Sequence, residues 1–255
     1  MTHWFFLRGL IRESGHWLQF PRQFKQAQPE SDLHFLEIPG TGHRFQEKSP
    51  TSIAGMVEAL QADFLRQNSE TSAKPWILSI SLGAMITLEW LVRYPDQFAG
   101  AVLINTSLRG LSPVHHRLQP HNYPWILRLL LVTRDLEARE RHLLRLVSNE
   151  PHHHLIAASK FAKIQHIRPI SRENALRQLY AASQYQLGSK PKQTPILLLN
   201  SEGDRFVNPE CTRALAKFLE LPYQSHPHAG HDLPLDAPEW VIEKILDWQK
   251  SLRAS

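Results

Sequence analysis

Six short strand-like runs, separated by longer stretches of helical period, constrain this chain more than any other feature. That alternation is the pattern of parallel strands joined by helical crossovers. The runs are His3–Arg8 (HWFFLR), Leu33–Ile38 (LHFLEI), Pro75–Ile80 (PWILSI), Ala101–Asn105 (AVLIN), Pro195–Asn200 (PILLLN) and Tyr223–Pro227 (YQSHP). Four of them are hydrophobic almost without interruption, as strands covered on both faces require. A helix is predicted after Asn208, a good N-cap followed by Pro209 and Glu210. The last helix is predicted to begin near Asp236, read as its cap, with Pro238 and Glu239 behind it.

Leu111 to Lys190 breaks the alternation. It has no strand-like run but four amphipathic stretches, Tyr123–Val132, Leu136–Val147, His154–Ile167 and, after a capping Ser171, Glu173–Leu187. The expected organisation is therefore an α/β core of residues 1–110 and 191–255 with an all-helical lid, 111–190, inserted over the carboxyl ends of the strands, where such sheets bind ligands. This insertion holds 12 Lys/Arg against 5 Asp/Glu, a net of +7, while the remainder has 17 against 19. A basic module on a near-neutral body favours anionic partners.

Composition narrows the rest. A single cysteine, Cys211, excludes an internal disulfide and is compatible with a reducing compartment. The N-terminal apolar run is too short for a signal-peptide core, and no stretch is long enough to span a membrane. A cytoplasmic protein with no cofactor, no metal, no membrane span and no nucleic-acid partner is the expectation.

The chemistry concentrates in three places. Ser81 follows the third run directly, within S-x-S-x-G, where a strand turns sharply into a helix; such a turn demands small residues two before and two after the serine. Gly83 meets the second demand and Ser79 the first less comfortably. A serine hydroxyl needs a base, and the base an orienting carboxylate. Asp204, in SEGDRFV, follows the fifth run, and His231, in AGHDLPLDAPEW, follows the sixth. The chain order is then Ser, Asp, His, with all three on one edge of the sheet. A helix N-cap is the competing role for Ser81, and His226, His228 and His16 are competing bases; Asp232, adjacent to His231, is poorly placed to accept its ring N–H.

These segments resemble the α/β-hydrolase superfamily, specifically its small lidded serine esterases. LRGLIRESGHW is similar to the family's His-Gly oxyanion segment and LEIPGTGHR to its D-x-P-G-x-G turn, while SISLG, SEGDRFV and AGHDLPLDAPEW are similar to its elbow, acid and histidine segments. The resemblance covers nearly the whole chain. It implies a mostly parallel sheet of about six strands, beginning at the family's third strand with the first two missing. It implies an oxyanion hole made by the backbone N–H groups of Leu82 and Leu10. Arg8, Ser79 and Glu37 depart from the family pattern, standing where histidine, glycine and aspartate are usual. Arg8 is expected either to bind a substrate carboxylate or phosphate or to brace the oxyanion loop by bonding nearby carbonyls.

The function implied is a serine hydrolase cleaving an ester, in the manner of a carboxylesterase, or a thioester of a small to medium acyl group. The basic lid favours an anionic small-molecule substrate, or an acyl chain on an acidic carrier protein. Trp125, Leu129 and Phe161 are candidates for lining an acyl pocket. Carbon–carbon bond hydrolysis with the same triad, and a non-catalytic binding scaffold, are the alternatives. PHHH, His152 to His154, is read as lid surface, because consecutive helical residues point in different directions.

Overall fold

The computed structural model of the 255-residue chain describes residues 1–69, 73–126 and 135–254. In chain order its elements are β1 (Thr2–Leu7), α1 (Phe20–Ala27), β2 (Ser31–Leu36), α2 (Ile53–Gln67), β3 (Trp76–Ile80), α3 (Leu82–Arg93), β4 (Gly100–Ile104), α4 (Leu136–Val147), α5 (Pro151–Ile167), α6 (Arg172–Gln184), β5 (Ile196–Ser201), α7 (Glu210–Leu219), β6 (Tyr223–His226) and α8 (Pro238–Ala254), with short helical turns between some of them. The six strands form where the apolar runs predict them, within two residues at either end. β2 is displaced most: it ends at Leu36, and the chain turns at Pro39 and Gly40, where Pro39 brings no N–H with which to extend the ladder.

The strands form one sheet, entirely parallel, in the order β2-β1-β3-β4-β5-β6. Strand side chains alternate between faces, so Phe5 and Leu7 enter one core with α2 and α3, while Trp4 and Phe6 enter the other with α1 and α8. Trp4, Phe5, Phe6 and Leu7 are all fully buried, which is why β1 tolerates no polar residue along this run. The chain leaves β1 toward β2, then returns across β1 to lay down β3 and the strands beyond. Sheets of this kind open a crevice at that reversal, above the carboxyl ends of the two flanking strands. Here those ends carry Arg8, Gly9 and Leu10 on one side and Ser81 on the other.

Between β4 and β5 the described residues contain helices and no strand. α4 and α5 pack through Leu144, Ala157, Ala158 and Phe161, a small core of their own. Ser171 caps α6 by accepting from the Asn174 N–H at 3.0 Å, as the sequence predicts. The expected cap at Asp236 is not found. That residue ends a short helical turn, Leu233–Asp236, and its carboxylate accepts instead from Ser148 Oγ, the Asn149 N–H and the Gly230 N–H. Three donors outside α8 satisfy it better than one free helix N–H would. No described helix is long and apolar enough to cross a membrane.

Candidate active site

Ser81 sits at φ 57° and ψ −118°, a conformation that non-glycine residues avoid. Bonds on both sides hold it there. Its N–H donates to the Ile104 carbonyl at 2.9 Å, and its own carbonyl accepts from Thr106 Oγ1 at 2.9 Å. Although Ser81 occupies the N-cap position of α3, its side chain bonds no helix N–H, so the hydroxyl is not spent on capping. Gly83 is dictated by close approach: a Cβ there would lie 2.6 Å from the Leu7 carbonyl oxygen and 2.7 Å from that of Arg8. Ser79, the small residue on the other side, is buried and its hydroxyl donates to the Val102 carbonyl at 3.3 Å. The hydroxyl is satisfied by the neighbouring strand, so serine serves in place of glycine.

The β5 and β6 loops bring Asp204 and His231 together. His231 Nδ1 and Asp204 Oδ2 are 2.7 Å apart, both buried. Asp204 Oδ1 accepts from the Phe206 and Val207 N–H groups at 2.8 and 2.9 Å, which orients the carboxylate toward the imidazole. Phe206 also packs its ring against His231, at 5.1 Å between centroids. Asn105 is a residue that sequence reading missed. At the end of β4, with φ 45°, its amide donates to the His231 carbonyl at 2.8 Å and to Ser201 Oγ at 3.0 Å, and its carbonyl accepts from the Ser201 N–H. One buried side chain thereby fixes the end of β5 and the histidine loop to the strand beside Ser81. The signal was an asparagine ending an apolar run, and nothing local marks its partners.

Ser81 and His231 line one largely apolar cavity of about 170 Å³, together with Leu82 and Leu10. No hydrogen bond joins the serine hydroxyl to the imidazole as they stand; such contacts commonly tighten when substrate binds. Among the described residues, neither the Leu82 nor the Leu10 backbone N–H finds an acceptor. The competing histidines are elsewhere. His16 is fully enclosed, with Nδ1 accepting from the Glu13 N–H and its ring against Phe161. Burial first, and the nearby Arg12 and Arg8 cations second, hold His16 well below the usual imidazole range. His226 accepts from the Ala229 N–H and shapes its own turn.

Arg8 lines the cavity, but its guanidinium is already taken. It pairs in bidentate fashion with Asp232, at 3.1 and 2.5 Å, and lies 4.7 Å above the Trp17 ring. The expected bond to nearby carbonyls is replaced by a buried carboxylate, and the expected substrate contact has no free fork to make it. Arg12 likewise bonds Glu140 at 2.6 Å, and Arg117 donates to the Ala182 and Ser183 carbonyls. Arg139 is different. It lines the same cavity, and although the Nε atoms of Arg8, Arg117 and Arg139 are all buried without a partner, Arg139 alone of these has no hydrogen-bond acceptor or salt-bridge partner for its terminal nitrogens among the described residues. Desolvation lowers its pKa from the usual arginine value.

Two of the expected pocket residues lie elsewhere. Trp125 is half-exposed, packs its ring at a tilt beside His142 and faces a separate depression beside Arg145 and Arg205. Phe161 is fully buried in the insertion's own core, under Arg12. Helical spacing marks apolar residues without saying which side they face. Leu129 falls outside the described residues. The apolar part of the cavity facing Ser81 includes Ile126, Leu143, Leu176 and Leu179. His152 is exposed in the first turn of α5, and His154 Nε2 contacts Ser148 Oγ at 2.9 Å.

Solved structures similar to this chain are distant in sequence. A thermophilic esterase from Thermogutta terrifontis, determined with malate bound, is 17% identical with a TM-score of 0.74, covering 98% of this chain and 90% of its own. A lipase-esterase related protein from Clostridium acetobutylicum is 12% identical with a TM-score of 0.70, covering 96% and 93%. The thioesterase RedJ of the prodiginine biosynthetic pathway in Streptomyces coelicolor is 14% identical with a TM-score of 0.64, covering 96% and 85%. No curated protein is matched by this sequence. At these identities the structures speak for the fold, and the family itself rests on a match along the sequence: the Alpha/beta hydrolase family model fits residues 5–244, and the chain belongs to that family.

Proposed function

We propose that the protein is a serine hydrolase that cleaves an ester, or a thioester, of a small to medium acyl group. The observation that carries this reading is the strained, uncapped Ser81 in one cavity with a histidine whose other ring nitrogen is held by Asp204. Ser81 Oγ attacks the acyl carbonyl carbon while His231 Nε2 takes the hydroxyl proton. Asp204 keeps the remaining proton on Nδ1, so that Nε2 is the basic nitrogen, and stabilises the imidazolium that forms. The unspent N–H groups of Leu82 and Leu10 receive the negative charge that develops on the carbonyl oxygen, an effect worth roughly 100-fold to 1,000-fold per donor. His231 then protonates the departing alcohol or thiol. Water, deprotonated by the same nitrogen, releases the acid from Ser81.

The cavity favours a short acyl group, since an apolar space of about 150 Å³ admits a benzene-sized ligand. Its unpaired Arg139 favours an acyl group carrying a second, anionic end. The basic insertion alone is equally consistent with an acidic carrier protein. A guanidinium inside the cavity supports the small carboxylated ester in preference. Esterase and thioesterase activities among the structural relatives support acyl transfer as the reaction class.

Labelling by a fluorophosphonate tests the reading, because the reagent reacts only with an activated serine. The wild type is expected to label at Ser81, and Ser81→Ala to lose both labelling and hydrolysis, the latter by on the order of 10⁶-fold in kcat. A well-folded wild type that neither labels nor hydrolyses any ester or thioester would leave a binding scaffold as the better account.

A further inference from the structure

The other end of the sheet holds a second constellation. β1 and β2 pair with His3 opposite Asp32 and Phe5 opposite His34. Alternation puts His3, Asp32 and His34 on one face, the face that Phe5, Leu7 and Leu36 share with α2. They stand at the start of the strands, some six residues of β1 away from the cavity, or about 20 Å. The proposed hydrolysis has no use for them.

Their polar atoms converge. His3 Nδ1 and His34 Nε2 are 3.1 Å apart, and Asp32 Oδ2 lies 3.7 Å from the first and 3.3 Å from the second. Zinc binds imidazole nitrogen and carboxylate oxygen at about 2.0 to 2.2 Å, which puts neighbouring ligands of a tetrahedral ion about 3.4 Å apart. The three observed separations bracket that value, so the atoms already outline one face of such a tetrahedron. Ring packing aims them: His34 stacks on Phe5 at 4.8 Å, and His3 on His34 at 5.4 Å. Both histidines are largely covered, whereas Asp32 is 44% exposed, which leaves the fourth position open to water.

We propose that His3, Asp32 and His34 form a binding site for a zinc-class divalent cation, two imidazoles and one carboxylate, that clips β1 to the edge strand β2. Imidazole donors suit zinc and its late first-row neighbours far better than magnesium or calcium. Because the ligands come from two strands that unfolding separates, the cation binds the folded chain preferentially and raises its stability by mass action. It takes no part in acyl transfer.

The experiment is a calorimetric titration of the EDTA-stripped full chain with zinc chloride, beside Asp32→Asn, His34→Gln and His3→Gln. Asp32 is the most exposed of the three, so Asp32→Asn reads the site with least risk to folding; circular dichroism in EDTA checks each variant. One equivalent is expected to bind the wild type, each variant at least about 100-fold more weakly, beyond the roughly 10-fold to 100-fold cost of losing an outer-shell partner. Zinc should raise the thermal midpoint of the wild type and not of the variants. Cobalt substitution should give the absorption of a tetrahedral site in the wild type alone, and ester hydrolysis should be the same with and without metal. Equal zinc affinity in wild type and folded variants would place the metal on other histidines and overturn the proposal. Absence of saturable binding to the wild type would overturn it too, leaving three groups joined by shared protons.

Discussion

The cavity has a floor and a roof built on different principles. The floor comes from the carboxyl ends of β1, β3, β5 and β6, and there the carboxylates, ring nitrogens and turn amides that aim the proposed triad are held by intramolecular bonds. Ser81 is pinned by Ile104 and Thr106, Asp204 by two amides and an imidazole, and the histidine loop by Asn105. The roof comes from the helical insertion, which directional bonds also tie to the core: Arg12 pairs with Glu140, Arg168 with Glu13, and Asn174, Arg177 and Gln178 bond Glu47 and Ser49. Asp236 bonds Ser148 and Asn149, Asn149 bonds the Gly203 and His228 carbonyls, Gln119 bonds the Asp204 carbonyl, and Gln178 accepts from the Ile11 N–H. Toward the cavity, between those ties, the described residues of the roof offer mainly apolar side chains and Arg139, whose guanidinium has no partner among them. The difference lies in what the bonds aim: those of the floor hold polar groups that face the cavity in register, while those of the roof anchor helices whose cavity-facing side chains are mostly apolar and are placed to set which substrates fit.

If that division holds, substitutions in the floor should cost rate or folding regardless of substrate. The largest effect is expected for Asp204→Asn. An amide can accept from Nδ1–H no better than it can donate to Nδ1, so the wrong imidazole tautomer becomes available, and kcat should fall by about 10⁴-fold. Steady-state kinetics on two chemically unlike esters checks this; a loss confined to one of them would move Asp204 from floor to selectivity. Next is Arg8→Met, which leaves the Asp232 carboxylate buried without its partner. Urea denaturation should show a loss of about 4 kcal/mol, and the double variant Arg8→Met, Asp232→Leu should recover most of it. An undiminished single variant would mean that Arg8 braces nothing.

The floor was largely legible in the sequence and the roof was not, for a physical reason. Strand runs, the small residue at Gly83, and the Asp204 and His231 loops are local patterns, because parallel strands must be apolar and a tight turn must be small. Which helix face covers a cavity depends on how helices pack in three dimensions, and that leaves no mark on spacing. Trp125 and Phe161 were therefore placed wrongly, while Leu143 and Leu176 went unnoticed. The pairing of Arg8 with Asp232 spans 224 positions, and that of Arg12 with Glu140 spans 128. No local motif announces either one. Asn105 escaped for the same reason: its role is defined by β5 and the histidine loop, both far along the chain.

Glu37 sharpens the account of the floor by showing where it is not relaxed. Burial, outweighing the bond it accepts from the Ser14 N–H, raises its carboxyl from the usual 4.5 to about 7. Between those two values the folded chain keeps a proton that the unfolded chain has released. Stability therefore falls as pH rises through that window and stays lower above it. Glu37→Gln keeps the acceptor and removes the titration, so unfolding free energy should become flatter between about pH 4.5 and 7. At pH 8 the variant should be the more stable by up to about 3 kcal/mol. Parallel pH profiles of chemical denaturation for the two proteins would reveal it, and identical slopes would show that the carboxyl is ionised at no cost.

The smallest effect is expected in the roof, and it is the most informative about substrate. Arg139 projects from α4 into an apolar space with its guanidinium unpaired, a position that raises the value of any carboxylate brought beside it. Arg139→Met preserves much of the side chain's length and apolar contact while removing its charge. For a butyrate ester, kcat/KM should stay within about twofold, since nothing in that acyl chain calls on the cation. For the hemisuccinate ester of the same alcohol it should drop by about tenfold, the order of one charge-assisted hydrogen bond. Arg139→Lys should recover part of the loss, because it restores the charge but not the planar two-pronged donor. Added salt should erode the wild type's preference for the charged ester, and less steeply than for an exposed pair, because the cavity screens poorly. Equal losses on both esters would make Arg139 part of the floor's architecture, and the division between a fixed floor and a selective roof would have to be redrawn around it.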